Sequence, residues 1–195
     1  MNKLIQRLKQ IPKPYFTFAD IRKIALLADP SLKISLNRLV KTGELKKITK
    51  GVYTLDLVNM DWENFACTKY APSYLSFEWA LNQYDILSQQ SYALTLATVK
   101  RSHTISTPTY QIIYHHLQPQ HFWGYNKKNN YLIAEPEKAF LDLAYLSQNG
   151  YAKFDPDEMN LRALNKTKLK IYLHKFLQAS GYDRLYKIIR KTKLI

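Results

Sequence analysis

The segment from Asp29 to Leu55 constrains this chain more than any other, because it prescribes a helix and a hairpin in immediate succession. Leu32, Leu36, Leu39 and Val40 fall at offsets of zero, four, seven and eight, which is the inward stripe of an amphipathic helix. Asp29 is the expected N-cap, Pro30 suits the first turn where a missing N–H costs nothing, and Gly43 offers the left-handed residue that stops a helix. Lys33, Asn37, Arg38 and Lys41, with Ser35 beside them, are left for the outer face. Leu45 to Ile48 and Val52 to Leu55 then read as two short strands joined by Thr49-Lys50-Gly51, which places Lys46, Lys47 and Lys50 on or near a tight turn.

Upstream, Met1, Leu4, Ile5, Leu8 and Ile11 recur at helical spacing before Pro12 and Pro14. Thr17 with Asp20 fits a capping box, followed by a helix expected from Phe18 to Ala28 with Phe18, Ile21, Ile24 and Ala25 inward. Three short helices and a basic hairpin match the plan of a winged helix-turn-helix, whose third helix enters the major groove. Lysine-rich helices often merely solvate a surface, but here the sign persists from the helix face to the hairpin. The net charge of +14 divides unevenly, with +8 in residues 1–56, +1 in 57–134 and +5 in 135–195. Such an excess favours a polyanionic partner. The predicted DNA-contacting residues are therefore Lys33, Ser35, Asn37, Arg38, Lys41, Lys46, Lys47 and Lys50.

Residues 57–195 change in character. Trp62, Phe65, Ala66 and Tyr70 suggest a brief helix, and Ser76 is placed to cap another that carries Phe77, Ala80, Leu81 and Tyr84 and ends near Leu87. Strands are expected at Tyr92 to Val99, Tyr110 to Leu117, Phe122 to Tyr125 and Tyr131 to Ile133, with 126–129 as a hairpin loop. Short turns between consecutive strands imply a mostly antiparallel sheet. A strongly patterned helix opens at Glu135-Pro136-Glu137, and two more are expected over Lys166 to Leu177 and Tyr182 to Lys191, while Asp155 to Leu164 is ambiguous. The predicted class is α+β, an N-terminal winged helix-turn-helix over 1–56 followed over 57–195 by a mixed domain with flanking helices.

Two pieces carry a family resemblance. Arg38-Leu39-Val40-Lys41-Thr42-Gly43-Glu44-Leu45 with Lys50-Gly51-Val52-Tyr53 resembles the winged-helix end of the AbiEi-like antitoxins, transcriptional regulators of bacterial abortive-infection systems. Ser76 with Glu78-Trp79-Ala80-Leu81, and Ala134-Glu135-Pro136-Glu137-Lys138-Ala139-Phe140-Leu141-Asp142-Leu143, resemble two segments of the domain those proteins carry behind it. The resemblance implies an autorepressor of its own promoter, bound at repeated half-sites of double-stranded DNA. It also implies an antitoxin that opposes a nucleotidyltransferase-like toxin, as in a type IV toxin-antitoxin system, without a stable complex. No catalytic residue is carried over.

Other chemistry finds little support. His115 and His116 are adjacent on an expected strand and point to opposite faces, so they cannot chelate one ion together. Glu135 and Glu137 read as first-turn acids, and Asp142 stands four residues after Lys138, the spacing of a helical ion pair. One cysteine, Cys67, excludes an internal disulfide and a cysteine-based zinc site. No cofactor, metal, secretory leader or membrane association is expected, which points to a cytoplasmic protein. Additional phosphate or partner contacts are expected at Lys100, Arg101, Arg184, Lys187, Arg190 and Lys191, with Lys193 beyond them. Two alternatives stay open: a nucleic-acid-modifying enzyme targeted by a winged helix, and a protein that binds its toxin directly.

Overall fold

The apolar stripe of the basic helix closes a small core in the computed structural model, which is α+β and describes residues 2–88, 92–148, 150–178 and 183–192. Met1, Tyr182 and Lys193, each named above, lie outside the described residues. The chain divides into two compact units, residues 1–62 with 106–109, and residues 63–105 with 110–195.

In the first unit, helix α1 (Lys3–Lys9) precedes strand β1 (Phe16–Thr17), helices α2 (Phe18–Ala25) and α3 (Asp29–Lys41), and strands β2 (Lys46–Thr49) and β3 (Val52–Thr54). The sheet order is β1-β3-β2, so the hairpin is extended by the strand that leads into α2. The Thr17 hydroxyl accepts from the Asp20 N–H at 3.2 Å, and the Asp20 carboxylate accepts from the Thr17 N–H at 2.9 Å, the expected capping box. The carboxylate accepts also from the Thr17 hydroxyl at 2.8 Å, and the bonds from the Thr17 N–H and hydroxyl hold the Asp20 carboxyl down to about 2, against a smaller opposing effect of burial. Leu4, Ile5, Leu8, Phe16, Ile21, Leu32, Leu36, Leu39, Leu45 and Tyr53 form the core. Each such large apolar side chain contributes about 1.5–3 kcal/mol relative to exposure.

Two expected features differ. Helix α2 stops at Ala25, because Leu26 turns left-handed at φ +53 and ends the hydrogen-bond ladder. Asp29 does not cap α3; Ala28 holds that position without a side-chain bond, while Asp29 is the first helical residue and lies 3.7 Å from Arg22. Gly43 is left-handed at φ +76 just beyond the helix, and Gly51 at φ +71 forms the hairpin tip with Lys50.

The second unit places helix α4 (Trp62–Lys69) at its start, then strand β4 (Ser73–Leu75), helix α5 (Phe77–Gln83) and strands β5 (Ala93–Thr98), β6 (His103–Ser106) and β7 (Gln111–His116). Strands β8 (Tyr125–Lys128) and β9 (Tyr131–Ala134) follow, then helices α6 (Pro136–Ser147), α7 (Lys166–Gln178) and α8 (Asp183–Lys191). Residues 156–158 and 161–163, in the ambiguous stretch, form two 3-10 turns.

The sheet order is β6-β7-β5-β4-β9-β8, and it is mixed rather than mostly antiparallel. Pairs β4/β5 and β8/β9 are antiparallel, whereas β5/β7 and β4/β9 are parallel. Short turns imply antiparallel pairing only when the strands they join are neighbours, and β5 takes β7 as its neighbour instead of β6. Strand β5 is buried along nearly its whole length, as a central strand covered on both faces should be. The loop expected over 126–129 belongs mostly to β8. The turn is made by Asn129 and Asn130, Asn129 being left-handed at φ +52, a conformation Asn tolerates.

Candidate nucleic-acid interface

Helix α3 carries its core residues on one side, and this forces Lys33, Asn37, Arg38 and Lys41 outward, all exposed. Ser35 is half-buried at the edge of that face. Lys46, Lys47 and Lys50 are exposed on the hairpin. Among the described residues, none of these five lysines and one arginine forms an ion pair, whereas Lys13 and Arg22 of the same unit pair with Asp20 and Asp29. The positive charge of this face is therefore uncompensated from within the unit.

Sequence reasoning passed over Ile34. It lies off the inward stripe, is 64% exposed, and lines a shallow depression with Asn37, Arg38 and Lys41. Offsets of three, four and seven from Ile34 put all four on one helical face. A large β-branched side chain left in water amid hydrogen-bonding groups was the available signal.

The remaining predicted contacts belong to the second unit. Lys100 and Arg101 are exposed, with the Lys100 ammonium 5.1 Å from the centre of the Tyr70 ring. Arg184, Lys187, Arg190 and Lys191 are exposed on α8, whose Leu185 and Ile189 are buried. Among the described residues no three His, Cys, Asp or Glu side chains assemble into a metal-holding group. His115 packs edge-on against Phe77, and the His116 ring lies 3.0 Å from the Lys100 carbonyl.

Three polar residues of the second unit, Ser76, Lys138 and Asp142, are drawn inward. Lys138 and Asp142, both fully buried, form an ion pair one helical turn apart on α6. Tyr74 accepts from the Lys138 ammonium at 2.9 Å and donates to Asp142 at 3.0 Å, and the Ser76 hydroxyl donates to Asp142 at 2.8 Å. Ser76 thus stands at the head of α5 without capping it, since its hydroxyl is committed elsewhere. Phe77 follows at φ +58, a costly conformation for an aromatic residue. It is fixed by Thr95, which donates to the Ser76 carbonyl at 2.8 Å and accepts from Trp79 N–H at 3.1 Å.

Tyr74, Trp123 and Phe176 enclose the Lys138 ammonium at 5.1–5.5 Å from their ring centres. Burial pushes the ammonium below and the Asp142 carboxyl above their ordinary values, and their mutual attraction offsets part of each change. Gly124, at φ +72, makes the cage possible, because a Cβ there would stand 3.0 Å from Lys138 Cγ.

Glu135 and Glu137 do more than complement a helix end. Glu135 accepts from Asn126 at 2.8 Å and from Tyr172, Glu137 accepts from Asn165 N–H at 2.9 Å, and Lys168 lies 3.2 and 3.7 Å from the two carboxylates. Burial raises the Glu135 carboxyl, but the bonds from Tyr172, Asn126 and Lys168 outweigh it and hold it below the ordinary value. These acids tie α6 to α7.

His121 is buried and stacked on Phe176, with ring centres 4.2 Å apart and planes 10° apart. Burial, with a smaller contribution from Lys138, lowers its pKa from 6.5 to about 4. Between those values the unfolded chain binds a proton that the folded chain refuses. The stabilisation is whole above pH 6.5 and is lost as pH falls toward 4. Urea midpoints measured across that window should fall with pH, and His121→Phe should flatten the dependence.

Among the described residues no helix is long and apolar enough to cross a membrane. No family model matches the chain, and no curated protein matches it significantly in sequence.

Proposed function

We propose that the first unit is a winged helix-turn-helix that binds double-stranded DNA, with α3 as recognition helix and the β2/β3 hairpin as wing. The observation that carries this reading is the exposed basic face, which runs from α3 to the hairpin with no acidic partner among the described residues. Arg38 and Asn37 bring the donors that read purine edges, and Ile34 offers an apolar contact to a thymine methyl. Lys33, Ser35, Lys41, Lys46, Lys47 and Lys50 supply phosphate contacts that set position on the duplex.

Together with the AbiEi-like segments, this face supports a cytoplasmic autorepressor that is also the antitoxin of a type IV toxin-antitoxin system in phage defence. It acts as a regulator and not as an enzyme. Its second unit opposes a nucleotidyltransferase-like toxin without a lasting complex. The commitment of Ser76, Lys138 and Asp142 to one another favours a structural role for the family-like residues over catalysis.

Fluorescence anisotropy of the full chain against its own upstream duplex and a shuffled duplex, at several salt concentrations, tests the DNA reading. Tighter binding to the native duplex that persists as salt rises is the expected result. Equal affinity for both, collapsing together with salt, would reduce the face to a general phosphate magnet.

A further inference from the structure

The second unit has its own uncompensated cations, arranged around an apolar groove. Lys170, Leu173, His174 and Leu177 of α7 and Tyr186 of α8 line a groove of about 340 Å³. Leu173 is buried and forms its floor, while Tyr186, 43% exposed, is a ring standing partly in solvent. Lys166 lies one turn before Lys170 on α7, and Arg190 one turn after Tyr186 on α8, with Lys187 and Arg184 on the same helix. All five cations, Lys170 included, are exposed, and none has an acidic partner among the described residues. The contrast lies within the same helix, where Lys168 pairs with Glu135 and Glu137 and Lys175 caps the Trp123 ring at 4.2 Å.

A row of cations beside an exposed aromatic ring and an apolar floor is the composition of a single-strand binding surface. Phosphates follow the charge, and an unpaired base stacks on the ring because every base has a π-face. Duplex DNA would leave the groove empty, since its bases are stacked internally. The rim adds a polar pair, His174 and Gln178, whose side chains lie 2.9 Å apart and can donate to or accept from a ribose 2′-hydroxyl. We propose that the α7/α8 groove binds single-stranded RNA, with a base stacked on Tyr186 and the backbone along Lys166, Lys170, Lys187 and Arg190. This inference is independent of DNA binding by α3.

The test uses the full chain with a short, unstructured, labelled RNA, the DNA strand of the same sequence, and a poly-glutamate competitor. Tyr186→Ala should weaken RNA binding roughly 5- to 150-fold, the range for losing one base stack, while Tyr186→Phe should retain it. Lys170→Gln should lower the salt slope by about 0.7. Arg38→Ala should leave RNA affinity intact, which separates this site from the one on α3. Unchanged affinity in Tyr186→Ala, or equal weakening by Arg38→Ala, would overturn the proposal. Equal binding of the DNA strand would overturn the assignment to RNA, and displacement by poly-glutamate as effective as by unlabelled RNA would replace it with an acidic protein partner.

Discussion

Asp142→Ala is expected to destabilise the second unit by about 3–5 kcal/mol, read as a fall in the urea midpoint of the full chain. The variant leaves the Lys138 ammonium fully buried among Tyr74, Trp123 and Phe176 with its carboxylate gone. It also strands the hydroxyls of Tyr74 and Ser76, both of which donate to Asp142. Attraction to the rings cannot replace the lost carboxylate, being worth about 2 kcal/mol when desolvated. Removing both charges should be far milder. Lys138→Met with Asp142→Leu fills similar volume without a charge to desolvate, and should recover the part of the loss that comes from the unpaired ammonium, leaving the cost of the two stranded hydroxyls. A change below about 1 kcal/mol for Asp142→Ala alone would mean that water reaches the site and that the cage is not sealed.

The second large effect concerns Arg38. If the α3 face reads DNA as proposed, Arg38→Ala should cost about 1–3 kcal/mol on the native duplex and little on a shuffled one, so that discrimination narrows. Lys50→Ala at the hairpin tip should instead weaken binding to both duplexes alike and lower the salt slope by about 0.9, the signature of one lost phosphate contact. Equal losses for both variants on both duplexes would remove the distinction between reading and positioning. Anisotropy titrations over a salt series measure all four combinations.

The features legible in the sequence are those decided within a few residues. Thr17 and Asp20 lie three apart and cap each other whatever the rest of the chain does. The leucine stripe of α3 and the left-handed Gly43 are equally local. Ser76 has the same credentials as Thr17, yet its hydroxyl is taken by Asp142, 66 residues away, and no local rule sees that competitor. Strand β4, only three residues long, exists because β5 and β9 flank it, so neither its presence nor its parallel pairing with β9 was visible. The spacing of Lys138 and Asp142 announced an ion pair, but spacing carries no information on burial. Ile34 went unnoticed for the opposite reason. An apolar residue off the stripe looks like noise until its neighbours Asn37, Arg38 and Lys41 are seen around it.

Strand β8, one of the two edges of the six-stranded sheet, bears on how this protein behaves when concentrated. A sheet edge offers unpaired N–H and carbonyl groups to any extended chain that drifts alongside, including a second copy of itself. Here that margin is only four residues long, and Asn126, Lys127 and Lys128 stand exposed along it. Two molecules aligning β8 with β8 would bring lysines of like sign together and lose their hydration for a short ladder of bonds. The charge proposed to draw a polyanion elsewhere thus also disfavours pairing of copies along the β8 edge.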